Sequence, residues 1–304
     1  MKAFFASATV TMLLCAPVWS KTDTSDADSV NDKSYTFVTA NFAGDTFTQL
    51  LGINKSNVIA GYHGSGATGH PNKGFVLTLP NHFALENFPS SAQTQVIGIN
   101  NAGYTDGFYI DSAGINHGFL DVKGNFKQVD FPGTTFNQLL GLNNLDQAAG
   151  FYNDAAGNSH GYIYDYNGGV FLVLTIPGAT TAQATGINDR GWISGLYTDT
   201  KNASHGFLIA DGVFTKLDFP DSTLTNALGV NDRGEVVGFY NDAAQKMHGF
   251  SYRKGHFQSI DDPNGVGTTT INGVNELGLL VGFYVDSKGN TDGFVAVPDQ
   301  DYDY

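Results

Sequence analysis

Residues 183–220, QATGINDRGWISGLYTDTKNASHGFLIADGVFTKLDFP, hold four short apolar runs separated by turn signals. The first run ends in Asn188-Asp189-Arg190-Gly191, a polar Asn/Gly turn that reverses a chain within a few residues. The second, residues 192–197, is bulky and β-branched and runs into Thr198-Asp199. The third, residues 206–209, follows a polar stretch and closes at Asp211-Gly212. The fourth, residues 213–219, alternates apolar and polar and stops at Pro220, which has no N–H to give to a ladder. Four strands of ordinary length joined by hairpins make one small antiparallel sheet.

Copies of this unit fill almost everything after residue 34. A Gly-apolar-Asn signature recurs at Asn54, Asn100, Asn143, Asn188, Asn231 and Asn275, in steps of 46, 43, 45, 43 and 44 residues. A Gly-aromatic signature recurs at Gly74, Gly118, Gly161, Gly206, Gly249 and Gly293, in steps of 44, 43, 45, 43 and 44. Two markers in constant phase, with four strands per period, describe the blades of a β-propeller. The fourth strand opens on Phe83, Phe126, Phe171, Phe214 and Phe257, each six residues before a proline, and these phenylalanines read as core. The last copy stops at Pro298 without a fourth strand, and residues 37–44 align with residues 126–133. The N-terminal strand therefore completes the C-terminal blade and closes the array without an exposed end. The expected fold is all-β, a six-bladed propeller over residues 35–298.

Outside that ring the chain is simple. Residues 1–20 carry one basic residue, Lys2, an apolar run over residues 3–16, and small residues before a cleavage point. That pattern is a secretory signal, because the apolar run is too short to span a membrane. A lipid anchor at Cys15 is the rival, and Leu14 before it is too large for the usual lipidation signal. Cys15 is the one cysteine, so the mature chain has no disulfide or thiolate site. Residues 21–34 form a polar linker and residues 299–304 an acidic tail. The expected location is secreted or periplasmic.

Removing Lys2 leaves 14 basic residues against 29 acidic ones, a formal charge of −15. An acidic chain without a basic run is a poor partner for nucleic acid or anionic membrane. Neutral or cationic small molecules and polymers outside the cell suit it better.

Chemistry, where the repeat offers any, falls in the second hairpin. Copies two to five read Tyr-x-Asp-x5-His: Tyr109, Asp111, His117; Tyr152, Asp154, His160; Tyr197, Asp199, His205; Tyr240, Asp242, His248. The sixth keeps Tyr284 and Asp286 but has Asp292 in the histidine position. In a propeller this loop shares a face with the blade-to-blade connections, the usual ligand face. One role is structural: the aspartate accepts backbone N–H bonds within its own turn, and the histidine pins the strand exit. The other is a ring of similar pockets, with tyrosine for stacking and Asp and His for hydroxyl groups, as in carbohydrate recognition. A metal role is weakest, because no His-x-x-x-His pair or clustered acidic loop occurs, and no metal or other cofactor is expected. The Asn residues of the Gly-apolar-Asn signature are turn formers on the opposite face.

No catalytic residue is assigned: a nucleophile elbow is absent, and the serines have no base at a recurring offset. If catalysis exists, the irregular first copy is the place for it, where His63, His70 and His82 break the pattern.

Gly-[Ile/Leu/Val]-Asn-x-x-Gly, Gly-[Phe/Leu]-Tyr, His-Gly-Phe and Asp-Phe-Pro-Gly together resemble the bacterial extracellular HAF repeats. The resemblance covers roughly residues 45–298, with Gly where the family name implies Ala. It implies secretion and a propeller-like array and carries no activity with it. The function expected is therefore a secreted binding module for carbohydrate or another extracellular ligand. The alternative is a polysaccharide hydrolase or lyase with one site at the channel mouth. A purely structural or adhesive surface protein would show neither property.

Overall fold

The alternating runs fold as strands, and the Asn, Asp and Gly clusters fold as the hairpins between them. A computed structural model of the protein describes residues 32–299 and a two-residue strand, Val10–Thr11, lying parallel to Leu172 and Val173. The rest of the expected signal segment, the linker up to residue 31 and the tail from residue 300 lie outside the described residues. Among the described residues there is no helix.

Six four-stranded antiparallel sheets stand around a common axis. The second blade shows the plan, with Gln93–Ile99 innermost, then Thr105–Ile110, Asn116–Val122 and Asn125–Val129 at the outer edge. The sixth blade takes Thr269–Val274, Leu280–Val285 and Thr291–Pro298 from the C-terminal end and Tyr35–Thr39 from the other. Tyr35 pairs with Pro298 and Thr39 with Phe294, so the ring closes as one strand plus three.

The core is not central; it lies in six layers, one between each pair of neighbouring blades. Between the third and fourth blades, for instance, Ala149 and Ile163 meet Ala184, Ile187, Tyr197 and Phe207. One aromatic per blade is sealed completely: Phe75, Phe119, Tyr162, Phe207, Phe250 and Phe294. These follow the Gly of the third strand, not the start of the fourth. Of the phenylalanines that open the fourth strand only Phe171 is buried, while Phe37, Phe83, Phe126, Phe214 and Phe257 are half-buried against the layers. The reason is geometric: the fourth strand is the outer edge of its blade, with fewer neighbours to cover it.

Each inner strand carries a register shift just before or at its glycine, as between Val96 and Gly98. Such a bulge turns the strand sharply, and there the inner strands touch backbone to backbone. A methyl group on Gly98 would lie 3.0 Å from the Gly141 Cα, and one on Gly141 3.1 Å from the Gly186 Cα. No larger residue fits that girdle without opening the ring.

Just beyond the girdle the six turn asparagines form a closed circuit. Asn54 Nδ2 donates to the Asn100 carbonyl at 3.0 Å, Asn100 to Asn143, Asn143 to Asn188, Asn188 to Asn231, Asn231 to Asn275, and Asn275 back to Asn54 at 3.2 Å. Each Oδ1 accepts two N–H groups of its own turn, as Asn188 does from Arg190 and Trp192. One side chain thus shapes a hairpin and links two blades.

Candidate functional site

The second hairpins and the blade connections share the face opposite the asparagine circuit. In five blades the hairpin aspartate opens an Asx turn, Asp286 of the sixth included, and four of these blades also carry the histidine. Asp111 Oδ1 accepts from Ala113 and Ile115 N–H at 2.8 and 2.9 Å, and Asp199 from Lys201 and Ala203 at the same distances. The other oxygen faces the histidine, 2.9 Å from His160 in the third blade and 3.5 Å away in the second, fourth and fifth. The second histidine nitrogen meets an aspartate just past the end of the fourth strand: His117 and Asp130 at 2.7 Å, His205 and Asp218 at 2.8 Å, His248 and Asp261 at 2.7 Å. Three histidines therefore sit between two carboxylates.

The variations follow the same logic. The third blade has Thr175 where the fourth-strand aspartate would stand, and there His160 leans fully on Asp154. The sixth has Asp292 in the histidine position, and Asn41, just past the closing strand, donates to it at 2.6 Å. Where the histidine is exchanged for an acceptor, its partner is exchanged for a donor.

These contacts set the titration. Bonds from His160 and from Asn158 hold Asp154 far below the usual carboxylate range. The Ile115, Ala203 and Lys246 N–H groups, with the histidines behind them, lower Asp111, Asp199 and Asp242. Desolvation works against a charged His248, but Asp261 and Asp242 outweigh it and raise its pKa.

The tyrosines are placed differently from the aspartates. Tyr109 lies flat on Phe88 at 3.8 Å, Tyr152 on Phe131 at 4.0 Å and Tyr240 on Phe219 at 3.7 Å. Tyr197 packs with Ile176, which holds the same place in its connection. On the other ring face stands the histidine, with centroids 5.0–5.2 Å apart. Burial raises the pKa of all four hydroxyls. Tyr, Asp and His are thus brought together in each of the four blades. The Asp and His edges reach the surface, while both tyrosine faces are covered.

Inside this face opens the central channel, about 360 Å³ in volume. Gln49, Gln95 and Gln138, each three residues before the girdle glycine of its blade, line it; Gln183, Asn226 and Thr270 hold the same place in the other three blades. Below them the wall is apolar, with Leu51, Ile97, Leu140 and Leu228 among the lining residues. Gln49 accepts from the Tyr62 hydroxyl at 2.8 Å, and Asn226 from Ser204 at 3.2 Å. Gln95 and Gln138 line the channel with no side-chain hydrogen bond to any described residue. A run of amides at fixed offset from glycine was present in the sequence as a signal. Glutamine on a strand reads as an ordinary exposed position, so that offset alone does not mark a channel wall.

In the first blade, Asp45 gathers two of the three irregular histidines: His63 Nδ1 at 2.7 Å and His70 Nε2 at 2.9 Å. His82 is exposed at the start of the outer strand and joins neither. Among the described residues no group of three or more His, Cys, Asp or Glu side chains is arranged to hold a metal ion. No helix there is long and apolar enough to cross a membrane.

A six-bladed propeller with a lined axial channel is a widely used scaffold, and its solved likenesses are distant in sequence. A TolB-type protein of Agrobacterium tumefaciens superposes with a TM-score of 0.60 at 11% identity, covering 83% of this chain and 91% of that one. AofleA from Arthrobotrys oligospora gives 0.52 at 11%, covering 88% and 84%. A variant of the Aleuria aurantia lectin, solved in complex with Fucα1-6GlcNAc, gives 0.51 at 9%, covering 83% and 96%. Against TolB from Acinetobacter baumannii the TM-score is 0.50 at 10% identity, and this chain spans 55% of that chain's length. At such identities the likeness is one of fold. No family model and no curated protein matches the chain.

Proposed function

We propose that the protein is a secreted binding module that takes a neutral, hydroxyl-rich ligand of carbohydrate type at the wide mouth of its channel. The observation that carries this is the pair of unpartnered amides, Gln95 and Gln138, in the wall of a cavity of about 360 Å³. An amide offers two donors and an acceptor without charge, which matches sugar hydroxyls. Ligand pockets commonly combine an apolar wall with a few convergent polar groups. The Aleuria aurantia lectin in complex with Fucα1-6GlcNAc has the same kind of fold, which guides the choice of probes. The resemblance to the HAF repeats is a proposal of kinship and adds no activity.

A second reading assigns binding to the hairpins, at Asp111, Asp154, Asp199 and Asp242 with their histidines. It is favoured by the partial exposure of those carboxylates, 27–36%. It predicts several weak, equivalent sites whose value lies in avidity for a repetitive ligand. The hydrolase or lyase alternative at the channel mouth would need an acid and a base there. Among the described lining residues Tyr62 alone titrates, and burial raises its pKa.

One experiment separates these. The mature chain is screened on a glycan array, and hits are titrated calorimetrically beside Gln95→Leu with Gln138→Leu, and beside Asp154→Ala with Asp199→Ala. A single site per chain, lost in the glutamine variant, supports the channel. About four sites, weakened in the aspartate variant, would move binding to the hairpins. No saccharide bound by a folded chain would overturn both.

A further inference from the structure

The first blade replaces the Asp-x5-His hairpin with a longer loop, His63-Gly64-Ser65-Gly66-Ala67-Thr68-Gly69-His70. Gly64 has φ +93°, and a Cβ there would fall 2.3 Å from the Pro71 carbonyl oxygen; Gly66 has φ +73°. Two such glycines make a turn that other residues resist, and they leave Ser65 exposed at its tip. The loop folds back through the His70 N–H, which donates to the Ala67 carbonyl at 2.9 Å. That return sets His70 Nδ1 3.1 Å from Ser65 Oγ and His70 Nε2 2.9 Å from Asp45 Oδ2.

Asp45 is a fixed point. Its side chain is 7% exposed, accepts from the Phe47 N–H at 2.9 Å, and accepts from His63 Nδ1 at 2.7 Å. His63 itself is held flat on Phe42 at 3.8 Å. Burial pushes the Asp45 carboxyl up, but bonds from both histidines and from Phe47 outweigh it and leave its pKa lowered. An ionised carboxylate only accepts, so His70 donates from Nε2. Its Nδ1 then carries a lone pair, which the Ser65 hydroxyl at 3.1 Å shares with the Ser65 N–H at 3.3 Å. Nucleophile, base and orienting carboxylate are joined by two successive hydrogen-bond contacts, the arrangement by which a serine is activated on unrelated folds.

We propose that Ser65, His70 and Asp45 form an acyl-transfer site that hydrolyses carboxylic esters. Ser65 Oγ forms a bond to the ester carbonyl carbon while its proton passes to His70 Nδ1. The tetrahedral adduct collapses, the carbon–alkoxy bond breaks, and the leaving alkoxide takes that proton to depart as an alcohol. Water then attacks the acyl-serine, giving its proton to His70; the carboxylic acid leaves, and Ser65 regains its hydrogen. Asp45 stays ionised and positions the imidazole. Esters are the class favoured because an alkoxide departs more readily than an amide nitrogen. The open setting, with His70 42% exposed, admits a bulky or polymeric alcohol. The site does not rest on the channel: it lies on the first blade, and either could exist without the other.

The test uses the mature chain, a fluorophosphonate reagent and p-nitrophenyl acetate, with peptide mapping of the product. One label per chain on Ser65 is expected, together with turnover of the ester. Ser65→Ala, at an exposed position, should melt as the parent does and lose both. His70→Asn should label about a hundredfold more slowly or worse, the usual loss with a general base. A labelling rate unchanged in His70→Asn, hydrolysis surviving in Ser65→Ala, or no label on Ser65 would each overturn the assignment.

Discussion

Asp106 stands fully buried between the inner strands of the second and third blades, where the Gly98 N–H donates to Oδ1 at 2.8 Å and Oδ2 has no partner. Burial pushes its pKa up to about 7, against the pull of the Gly98 and Gly141 N–H groups. A carboxyl whose folded pKa is raised binds its proton more tightly in the folded state. Stability is then lost as pH climbs from the unfolded value near 4 through about 7. Asp106→Asn keeps the acceptor for Gly98 and cannot ionise. Relative to the variant, wild type should lose up to about 4 kcal/mol between pH 4 and pH 8, the ceiling set by such a shift. Urea unfolding of both proteins at the two pH values measures it, and parallel pH profiles would show that Asp106 is not the group responsible. The sequence does not mark this residue: the corresponding positions are Ala60, Ala149, Ser194, Val237 and Val281. An aspartate near the start of a strand reads as exposed until the neighbouring blade is in place. The Tyr, Asp and His of the hairpins were legible because repetition wrote them four times. Their partners were less so, although Asp130, Asp218 and Asp261 stood in plain sight thirteen residues after each histidine. The meander sets the fourth strand's end beside the start of the third, but sequence order does not show which side chain there turns toward the histidine.

At the scale of the hairpin, the same small device recurs on both faces: one polar side chain accepts two N–H groups of its own turn, then reaches across to a neighbour. On the circuit face the reach is between blades. Asn188 is buried, takes the Arg190 and Trp192 N–H groups and donates to the Asn231 carbonyl at 2.9 Å. Asn188→Ala strands the Arg190 and Trp192 N–H groups and leaves the Asn231 carbonyl with the Gly234 N–H alone, and unsatisfied buried groups cost about 1–3 kcal/mol each. A fall of roughly 3 kcal/mol in unfolding free energy is expected after partial rescue by water. Asn188→Asp keeps both acceptances but turns a carboxylate toward the Asn231 carbonyl, and it should be no more stable than the alanine. Chemical denaturation of the two variants checks the order; an aspartate that behaves like wild type would mean the donated bond contributes nothing. On the hairpin face the reach is to histidine. His248 has a raised pKa, so its contribution is complete below the unfolded value near 6.5 and fades as pH rises through the higher folded value. The Tm difference between wild type and His248→Gln should therefore be larger at pH 6 than at pH 9, read by thermal melts in matched ionic strength. The turns themselves were legible as Asn-x-x-Gly and Asp-x-x-Gly. The inter-blade reach was not, because it depends on how closely the glycine girdle draws the blades together.

For the whole molecule the decisive contact is closure, and this was written in the sequence as a missing fourth strand at one end and a spare one at the other. Tyr35–Thr39 pairs along Thr291–Pro298, Phe37 meets Phe294 at 5.3 Å, and Thr39 and the Tyr284 hydroxyl share a hydrogen bond of 2.9 Å. The asparagine circuit also needs both ends of the array, since Asn275 donates to the Asn54 carbonyl. A chain beginning at residue 40 loses the five-residue ladder and uncovers the edge of Thr291–Pro298. At about 1 kcal/mol per backbone hydrogen bond the loss is several kcal/mol, a large part of the 5–15 kcal/mol that holds a typical domain. The exposed edge should also pair with other copies. The control is a circular permutant. The Asp299 N–H donates to the Ser34 carbonyl at 2.9 Å, so the two ends can be joined by a short linker, and new ends opened at the exposed Gly178. There the sixth blade becomes continuous and every strand pair survives. The permutant should unfold in one urea transition close to that of the parent and run as the same species on size exclusion. The chain lacking the strand should unfold at much lower urea and self-associate. Equal midpoints for the shortened chain and the parent would mean that the blade layers hold the ring shut without the strand, and that closure matters less than the six inter-blade cores.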